Sequence, residues 1–495
     1  MSGSDERPED GESTRHGLPE LIAERRAKAQ RLRETDESAF PYSFPDAEPI
    51  EAILGAYAHL ADGEETEDAH RVAGRIAARR GAGRAAFLDL VDRTGKIQLH
   101  ARVDVLGKDA FDRLRSLDLG DLVGVDGAVM RSRHGELTLR VDGFQILAKA
   151  LRPPPDKHHG LVDVETRYRR RELDLIANED ARRLFVDRAR IIAAVRAYLD
   201  GRGFVEVETP VLQPLYGGAL ARPFTTHHNA LDRDLYLRVA TELYLKRCIV
   251  GGLERVYELG KDFRNEGVSH KHNPEFTMVE WYEAYADYED EARRLQDVVA
   301  AAARAVDYAG ELDFSSPWRR VSFVEAIEQA TGIDVMAHRE DLAGAIGQRG
   351  LEMPTEGLPW HALADDLLSK YVEPTLQQPT FVLDFPIELS PLAREHRSKD
   401  GLVERWEAFA GGMEIANAFS ELIDPDVQRE RFGAQQRLAS LGEEEVQPYD
   451  ELFVQALEQG MPPAGGVGVG VDRLVMLLTG RDSIREVVLF PAMRD

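Results

Sequence analysis

Apolar residues recur every three to four positions across residues 18–34 and 178–200, and between these stretches they fall into short runs at 72–77, 86–91, 97–101, 122–130 and 137–141. The first spacing predicts amphipathic helices; the short runs, rich in β-branched and aromatic residues, predict strands. Residues 109–117 return to helical spacing after the third strand, and Asp92-Arg93-Thr94-Gly95 supplies a hairpin turn between the second and third. Five strands with a helix between the third and fourth suit a small closed barrel of the OB type. Pro153-Pro154-Pro155 then interrupts regular structure and marks a linker over 153–165.

Beyond the linker the pattern changes scale. The helix at 178–200 leads into an alternating segment at 204–208, stopped by Thr209-Pro210. Strand-like runs at 236–239, 256–259, 276–282, 381–385, 413–420 and 467–471 predict a large, mainly antiparallel sheet, with helices and loops inserted over about 291–370. The expectation is an α+β chain: a polar, disordered tail at 1–17, a helix and barrel over 18–152, and a second domain over 166–495.

Composition narrows the class. A chain of 495 residues with 43% hydrophobic content can bury two or three cores. The sequence carries no apolar run of the roughly 20 residues a membrane span needs and no signal-peptide core at its N-terminus. A single cysteine, Cys248, excludes an internal disulfide and a zinc site built from several thiolates, which favours a cytoplasmic location. The formal net charge of −26 repels a polyanion on average. Local clusters of arginine and lysine at 25–33, 71–84 and 167–171 nonetheless offer patches on which a phosphate backbone could sit, or ordinary solvated faces.

Three segments carry candidate chemistry. Residues 264–280 read RNEGVSHKHNPEFTMVE, setting an arginine, an acid, a histidine and an aromatic close together. No GxxxxGK[ST] loop occurs, so a nucleotide-using chain must grip phosphates with arginines and metal-bound carboxylates. Arg264 follows a strand-like run, where its planar fork could hold a phosphate and a carboxylate bidentately. Glu407 and Glu414, seven apart, stand on one side of a helix or on two arms joined by Gly411-Gly412, an arrangement that suits a hard divalent cation or a solvated acidic face. Arg405 is a possible local partner for Glu407; nothing local offers the same to Glu414. Finally, Gly465-Gly466-Val467-Gly468-Val469-Gly470-Val471-Asp472-Arg473 is a glycine-rich strand leading into a helix, where backbone can lie close to a ligand.

These segments, with GGALARPFTTHHNALDRDLYLR at 217–238, resemble the bacterial class II lysyl-tRNA synthetases over nearly the whole chain. The resemblance implies a lysine–tRNA ligase that activates L-lysine with ATP and transfers it to the 3′ end of tRNA(Lys), using Mg²⁺ and acting as a homodimer. It implies catalytic Arg264 and Arg473; ATP contacts from Arg264, Glu266, His272, Asn273, Phe276 and Arg473; and metal binding by Glu407 and Glu414. Lysine binding falls to Gly218 and Glu242 at the α-amino group, Asn417 at the carboxylate, and Glu280, Tyr282 and Glu421 at the side-chain ammonium. Arg80, Phe87 and Gln98 match anticodon-binding positions, although a strand phenylalanine is usually inward. Two positions depart from the family pattern: Thr241 stands where proline is common, and Glu172 where tyrosine is common. The alternatives are an aspartyl or asparaginyl enzyme, a paralogue that lysylates a protein, and a non-catalytic RNA-binding regulator; the acids of the lysine site, the whole N-terminal barrel and the intact catalytic set, respectively, count against them.

Overall fold

The computed structural model describes residues 17–34, 40–81, 83–155, 161–440 and 446–493. Apart from Gly17, the expected tail at 1–17 lies outside the described residues, as does 156–160 within the expected linker. The chain divides into two compact units, Met1–Asp163 with Glu172–Glu179, and Val164–Arg171 with Asp180–Asp495. The short stretch Glu172–Glu179 thus groups with the first unit, although the sequence pattern had suggested the second.

The first unit is a closed barrel of five strands, Glu65–Arg80, Ala85–Val91, Lys96–Arg102, Leu122–Arg131 and Leu137–Ala148, preceded by the helix Leu18–Glu34. Period-two alternation sends Ala86, Leu88 and Leu90 into the barrel core with Val72, Ile76, Leu99, Val125 and Leu139. The intervening Phe87 therefore belongs to the outer face. Asp92 closes the predicted hairpin by accepting hydrogen bonds from the amides of Thr94 (2.6 Å) and Gly95 (2.8 Å).

The second unit is built on an eight-stranded sheet ordered Arg319–Ser322, Thr380–Leu383, Arg405–Ala410, Met413–Ser420, Ala464–Gly470, Glu275–Ala284, Arg255–Phe263 and Val205–Glu206. Only the two edge pairings are parallel. Helices Glu179–Gly201 and Tyr288–Ala305 bury Leu184, Ile191, Val195, Leu295, Val298 and Val299 against Val279, Trp281 and Trp406 of the sheet. Tyr288–Ala305 is thus part of the main core, so the helical insertion expected from residue 291 begins later. The expected insertion is also interrupted by the sheet strand Arg319–Ser322. The strand expected at 236–239 appears as Arg233–Leu237, in a separate three-stranded sheet with Leu212–Gln213 and Thr225–His228.

Candidate active site

The central strand Glu275–Ala284 decides where the site lies. Its odd positions, Val279 and Trp281, enter the core, so Phe276, Met278, Glu280 and Tyr282 share the opposite face and line a cavity of about 390 Å³. Across the ladder, Met278, Glu280 and Tyr282 face Gly470, Gly468 and Gly466. A β-carbon on Gly466 would collide with the Glu421 carboxylate and the Tyr282 ring. The glycine strand therefore clears room for side chains arriving from its neighbours. On its other side Asn417 pairs with Gly468, which brings a third strand's polar residue to the same cavity wall.

One end of the cavity is acidic and buried. Glu242 and Glu280 line it and are each 5% exposed; Glu421, 1% exposed, lies behind this lining, on the wall of a second cavity with Arg397 and Glu404, and is linked to Glu242 through Lys246. Glu242 opens the helix Glu242–Val250, which places Lys246 one turn on; its ammonium meets Glu242 at 2.6 Å and also pairs with Glu421. Two carboxylates expected at separate parts of a ligand thus share one internal cation. Neither oxygen of Glu421 has a well-directed hydrogen-bond donor, and burial pushes its pKa up to about 8 against the pull of Lys246. Glu280 is likewise raised to about 8, by burial first and then by Asp262 and Glu242. It accepts from the Thr241 amide at 3.2 Å and faces the Tyr282 hydroxyl at 3.4 Å. Gly218, at φ +91°, lies against Glu242 and Ala240, where a β-carbon would not fit; its amide donates to Gln447 Oε1 at 3.1 Å.

The other end is lined by arginines. Arg264 extends the ladder by one amide bond to Pro274 (2.9 Å), so residues 265–273 form the tip between the two central strands. Its guanidinium sits 5.1 Å from the centre of the Phe276 ring, and its buried Nε has no hydrogen-bond partner. Arg473 donates to the Glu414 carboxylate and carbonyl, both at 2.9 Å, and faces His272 Nε2 at 3.3 Å. Because an arginine can only donate, Nε2 must accept; the neutral ring then places its proton on Nδ1, toward Ser269 Oγ at 2.8 Å. Burial, Arg473 and Lys271 hold the His272 pKa down at about 4, which fits that neutral tautomer. Glu266 also lines this end. Asn273 lines it too, yet its side chain is committed to the Glu275 carbonyl (2.6 Å) and the Ala492 amide (3.2 Å), which makes it an anchor for the loop in this conformation.

Glu407 and Glu414 do sit on a hairpin, Arg405–Ala410 and Met413–Ser420, turned by Gly411 and Gly412, both at positive φ. Arg405 pairs with Glu407 at 2.5 Å and also donates to Asn417 (3.1 Å). Nothing local offers Glu414 a cation, as the sequence suggests; its partner Arg473 arrives from 59 residues away, where proximity in sequence could not disclose it. Among the described residues no group of three or more His, Cys, Asp or Glu side chains is arranged to hold a metal ion. The pair nevertheless fits a divalent cation that takes its remaining oxygens from a polyphosphate. Burial pushes Glu407 up to about 8 against the pull of Arg405, and Glu414 and Asp365 add to the effect, so a bound cation would favour the ionised form that burial and the neighbouring acids disfavour.

In the barrel, Arg80, Phe87 and Gln98 come together on adjacent strands: Arg80 pairs with Phe87, and Asp89 with Gln98. Phe87 stacks on its cross-strand neighbour His100 with centroids 4.6 Å apart and planes 2° apart. One ring face is therefore covered and any base must use the other. Arg80 donates to buried Asp89 at 3.2 Å, and Gln98 to Glu136 at 2.6 Å.

The arrangement is one cavity with an acidic end and an arginine-lined end, held by one mainly antiparallel sheet. Comparison with known proteins shows the family. The family model for class II tRNA synthetases (D, K and N) matches residues 163–494, and that for an OB-fold nucleic acid binding domain matches 70–147. The chain belongs to the class II tRNA synthetases. Among similar relatives, the lysine–tRNA ligase of Carboxydothermus hydrogenoformans is 47% identical over 96% of this chain and 98% of its own length. That of Prochlorococcus marinus strain MIT 9303 is 50% identical over 96% and 97%, and that of Moorella thermoacetica 48% over 96% and 98%.

Several contributors to this synthetase's site had not been singled out from sequence. Lys246 stands one helical turn from Glu242, a spacing that could have revealed it. Gln447 arrives from 229 residues beyond Gly218, and His100 had only its place on a strand to mark it.

Proposed function

We propose that this synthetase is a lysine–tRNA ligase: it activates L-lysine with ATP to lysyl-adenylate and transfers the lysyl group to the 3′ end of tRNA(Lys). The observation that carries the amino-acid assignment is the acidic end, where buried Glu280 has no cation among the described residues and buried Glu242 shares its one cation, Lys246, with Glu421. Such a wall is costly until a cationic ligand fills it. An aspartate or asparagine side chain would bring nothing to offset that charge. Neither a paralogue that lysylates a protein nor a non-catalytic regulator gains support: the barrel is whole and Arg264, Glu407, Glu414 and Arg473 are all in place.

In this reading Glu242 and the Gly218 backbone hold the α-ammonium, and Asn417 with Arg264 orients the carboxylate. Glu280, Tyr282 and Glu421 take the distal ammonium. The lysine carboxylate attacks the α-phosphorus of ATP, one P–O bond forms, and the bond to pyrophosphate breaks. Arg264 stabilises the charge that develops on the α-phosphoryl oxygens, and Arg473 that on the far phosphates; neither transfers a proton. Phe276, stacked on one face by Arg264, offers its other face to adenine, and Glu266 accepts from the adenine amino group. Glu407 and Glu414 would hold Mg²⁺, which neutralises phosphate charge when bound. In the second step the terminal ribose hydroxyl of tRNA attacks the mixed anhydride and AMP leaves. Arg80, Phe87 and Gln98 read the anticodon. Exposed Val205, Val211 and Leu212 beside the edge strand Val205–Glu206 suit a homodimer interface, and a single cysteine, which can form no internal disulfide, suits a cytoplasmic location.

The deciding experiment is exchange of labelled pyrophosphate into ATP with each standard amino acid in turn. Lysine alone is expected to support it; exchange with aspartate or asparagine and not with lysine overturns the assignment.

A further inference from the structure

Thr241 is one of the two positions that set the sequence apart from the family it resembles, and the structure gives its side chain and amide a use. The residue is 3% exposed and precedes the helix Glu242–Val250. Its amide donates to Glu280 Oε1 at 3.2 Å, a bond that a proline, having no N–H, cannot make. Its hydroxyl is buried without a well-formed bond to any group, yet Glu280 is the carboxylate it influences. One residue thus directs its amide to this carboxylate and holds beside it a hydroxyl engaged by no other group, and proline would present neither.

Glu280 needs them. Every other charged or titratable group around it is an acid or is already engaged. On the neighbouring strand Arg255–Phe263, Glu258 lies opposite Glu280, and Asp262 stands on the same side; both are held by Arg238. From the helix come Glu242 and Lys246, the latter shared with Glu421. Tyr282 lies on its own strand, and the facing strand contributes only Gly468. No cation pairs with Glu280 among these groups, so orientation and ionisation of this carboxylate depend on neutral donors.

We propose that Thr241 is a positioning residue for substrate specificity, holding Glu280 ready to receive the distal ammonium of the amino acid through its amide and hydroxyl together. The proposal rests on the reading of Glu280 as the receiver of that ammonium. Burial and neighbouring acids raise Glu280 to about 8, and both Thr241 donors act in the opposite direction, so removing them should move the ionisation further up. The consequence is a graded series. Thr241→Ser keeps both donors, Thr241→Val keeps only the amide, and Thr241→Pro keeps neither.

The test is lysine-dependent pyrophosphate exchange by the full-length enzyme from pH 6.5 to 9, with melting temperature as the control for folding. The serine variant should match wild type. At pH 7.5 the valine variant should raise the lysine KM about threefold and the proline variant about tenfold, as for loss of one and two hydrogen bonds of ordinary net strength. The ATP KM should stay within about twofold, and the pH at which lysine affinity is half-maximal should climb in the same order. Inhibition by L-norleucine, which lacks the distal ammonium, should be equal in all four proteins. A proline variant with wild-type lysine KM and pH profile overturns the proposal, as does a parallel rise for lysine and norleucine. Should the proline variant not fold, valine against serine decides, and identical lysine KM and pH midpoint overturn it. Wild-type enzyme that does not use lysine would instead refute the functional reading itself.

Discussion

The two ends of the active-site cavity solve opposite problems. At the amino-acid end the carboxylates are almost wholly buried, and burial pushes Glu280 and Glu421 up to about 8. At the phosphate end the groups are partly exposed and already engaged with each other: Arg473 on Glu414, and Arg405 on Glu407. A small cationic ligand can be told from its neighbours only by acids that water does not satisfy in its absence, so that end carries a standing electrostatic cost. A polyphosphate brings so much charge that its site needs orientation more than desolvation, and cross-braced arginines supply it.

The comparison is broken most severely at Arg264, where the phosphate end reaches the reacting centre. Arg264→Lys keeps the charge and loses the planar fork. Adenylate formation should fall by roughly 10²-fold or more, measured as lysine-dependent exchange at saturating substrates. Near-native rates would show that charge alone suffices and that geometry at this end matters less than argued.

Next in size is Glu421→Gln. The change removes a buried charge that no well-directed donor satisfies and leaves Lys246 with Glu242 alone. Loss of a charge-assisted bond to the substrate is worth roughly 1.5–3 kcal/mol, expected as a raised lysine KM with ATP KM unchanged. A rise in ATP KM with constant lysine KM would mean the two ends had been assigned the wrong way round.

How much of this could be read beforehand differs between the two ends for a physical reason. Arg264, Glu266, His272 and Phe276 sit in one hairpin, and Glu407 and Glu414 in another, so short-range spacing displays them. The pairing of Glu414 with Arg473 spans 59 residues, and that of Gly218 with Gln447 spans 229. Only the register of the sheet brings such partners together. The barrel was legible because strand alternation is local; even so, alternation could not say that Phe87 faces outward until the core claimed Ala86, Leu88 and Leu90. Helix Tyr288–Ala305 was read as insertion because periodicity shows an apolar face without showing what covers it.

The barrel sharpens the comparison from outside the cavity, because its recognition face buries no comparable charge. With one face of Phe87 covered by His100, a base can stack only on the other. Phe87→Ala should therefore cost about 1–3 kcal/mol in tRNA recognition, seen in aminoacylation KM for tRNA, while exchange without tRNA is unaffected. Since Phe87 lies outside the barrel core, the melting of the full-length variant should move little. A strongly lowered melting temperature with unchanged charging kinetics would make Phe87 a packing residue and leave the anticodon to Arg80 and Gln98.

The smallest expected effect follows from the raised acids and concerns pH. A free glutamate titrates near about 4.3, so between that value and about 8 the folded, substrate-free protein keeps a proton on Glu280 that the unfolded chain releases. Stability from this group is full below the lower value and is lost as pH rises through the upper one. Lysine binding has the opposite slope, because the ammonium binds the ionised form and must displace that proton. The lysine KM should accordingly fall as pH rises toward about 8, by at most about tenfold per unit for one coupled proton, and level off above. Glu280→Gln, which cannot ionise, should weaken lysine binding and flatten this part of the profile. A lysine KM that is flat from pH 6.5 to 8.5 in the wild type would show that the acidic end is ionised before the substrate arrives, and would place its selectivity in Lys246 and the shape of the pocket instead of in desolvated charge.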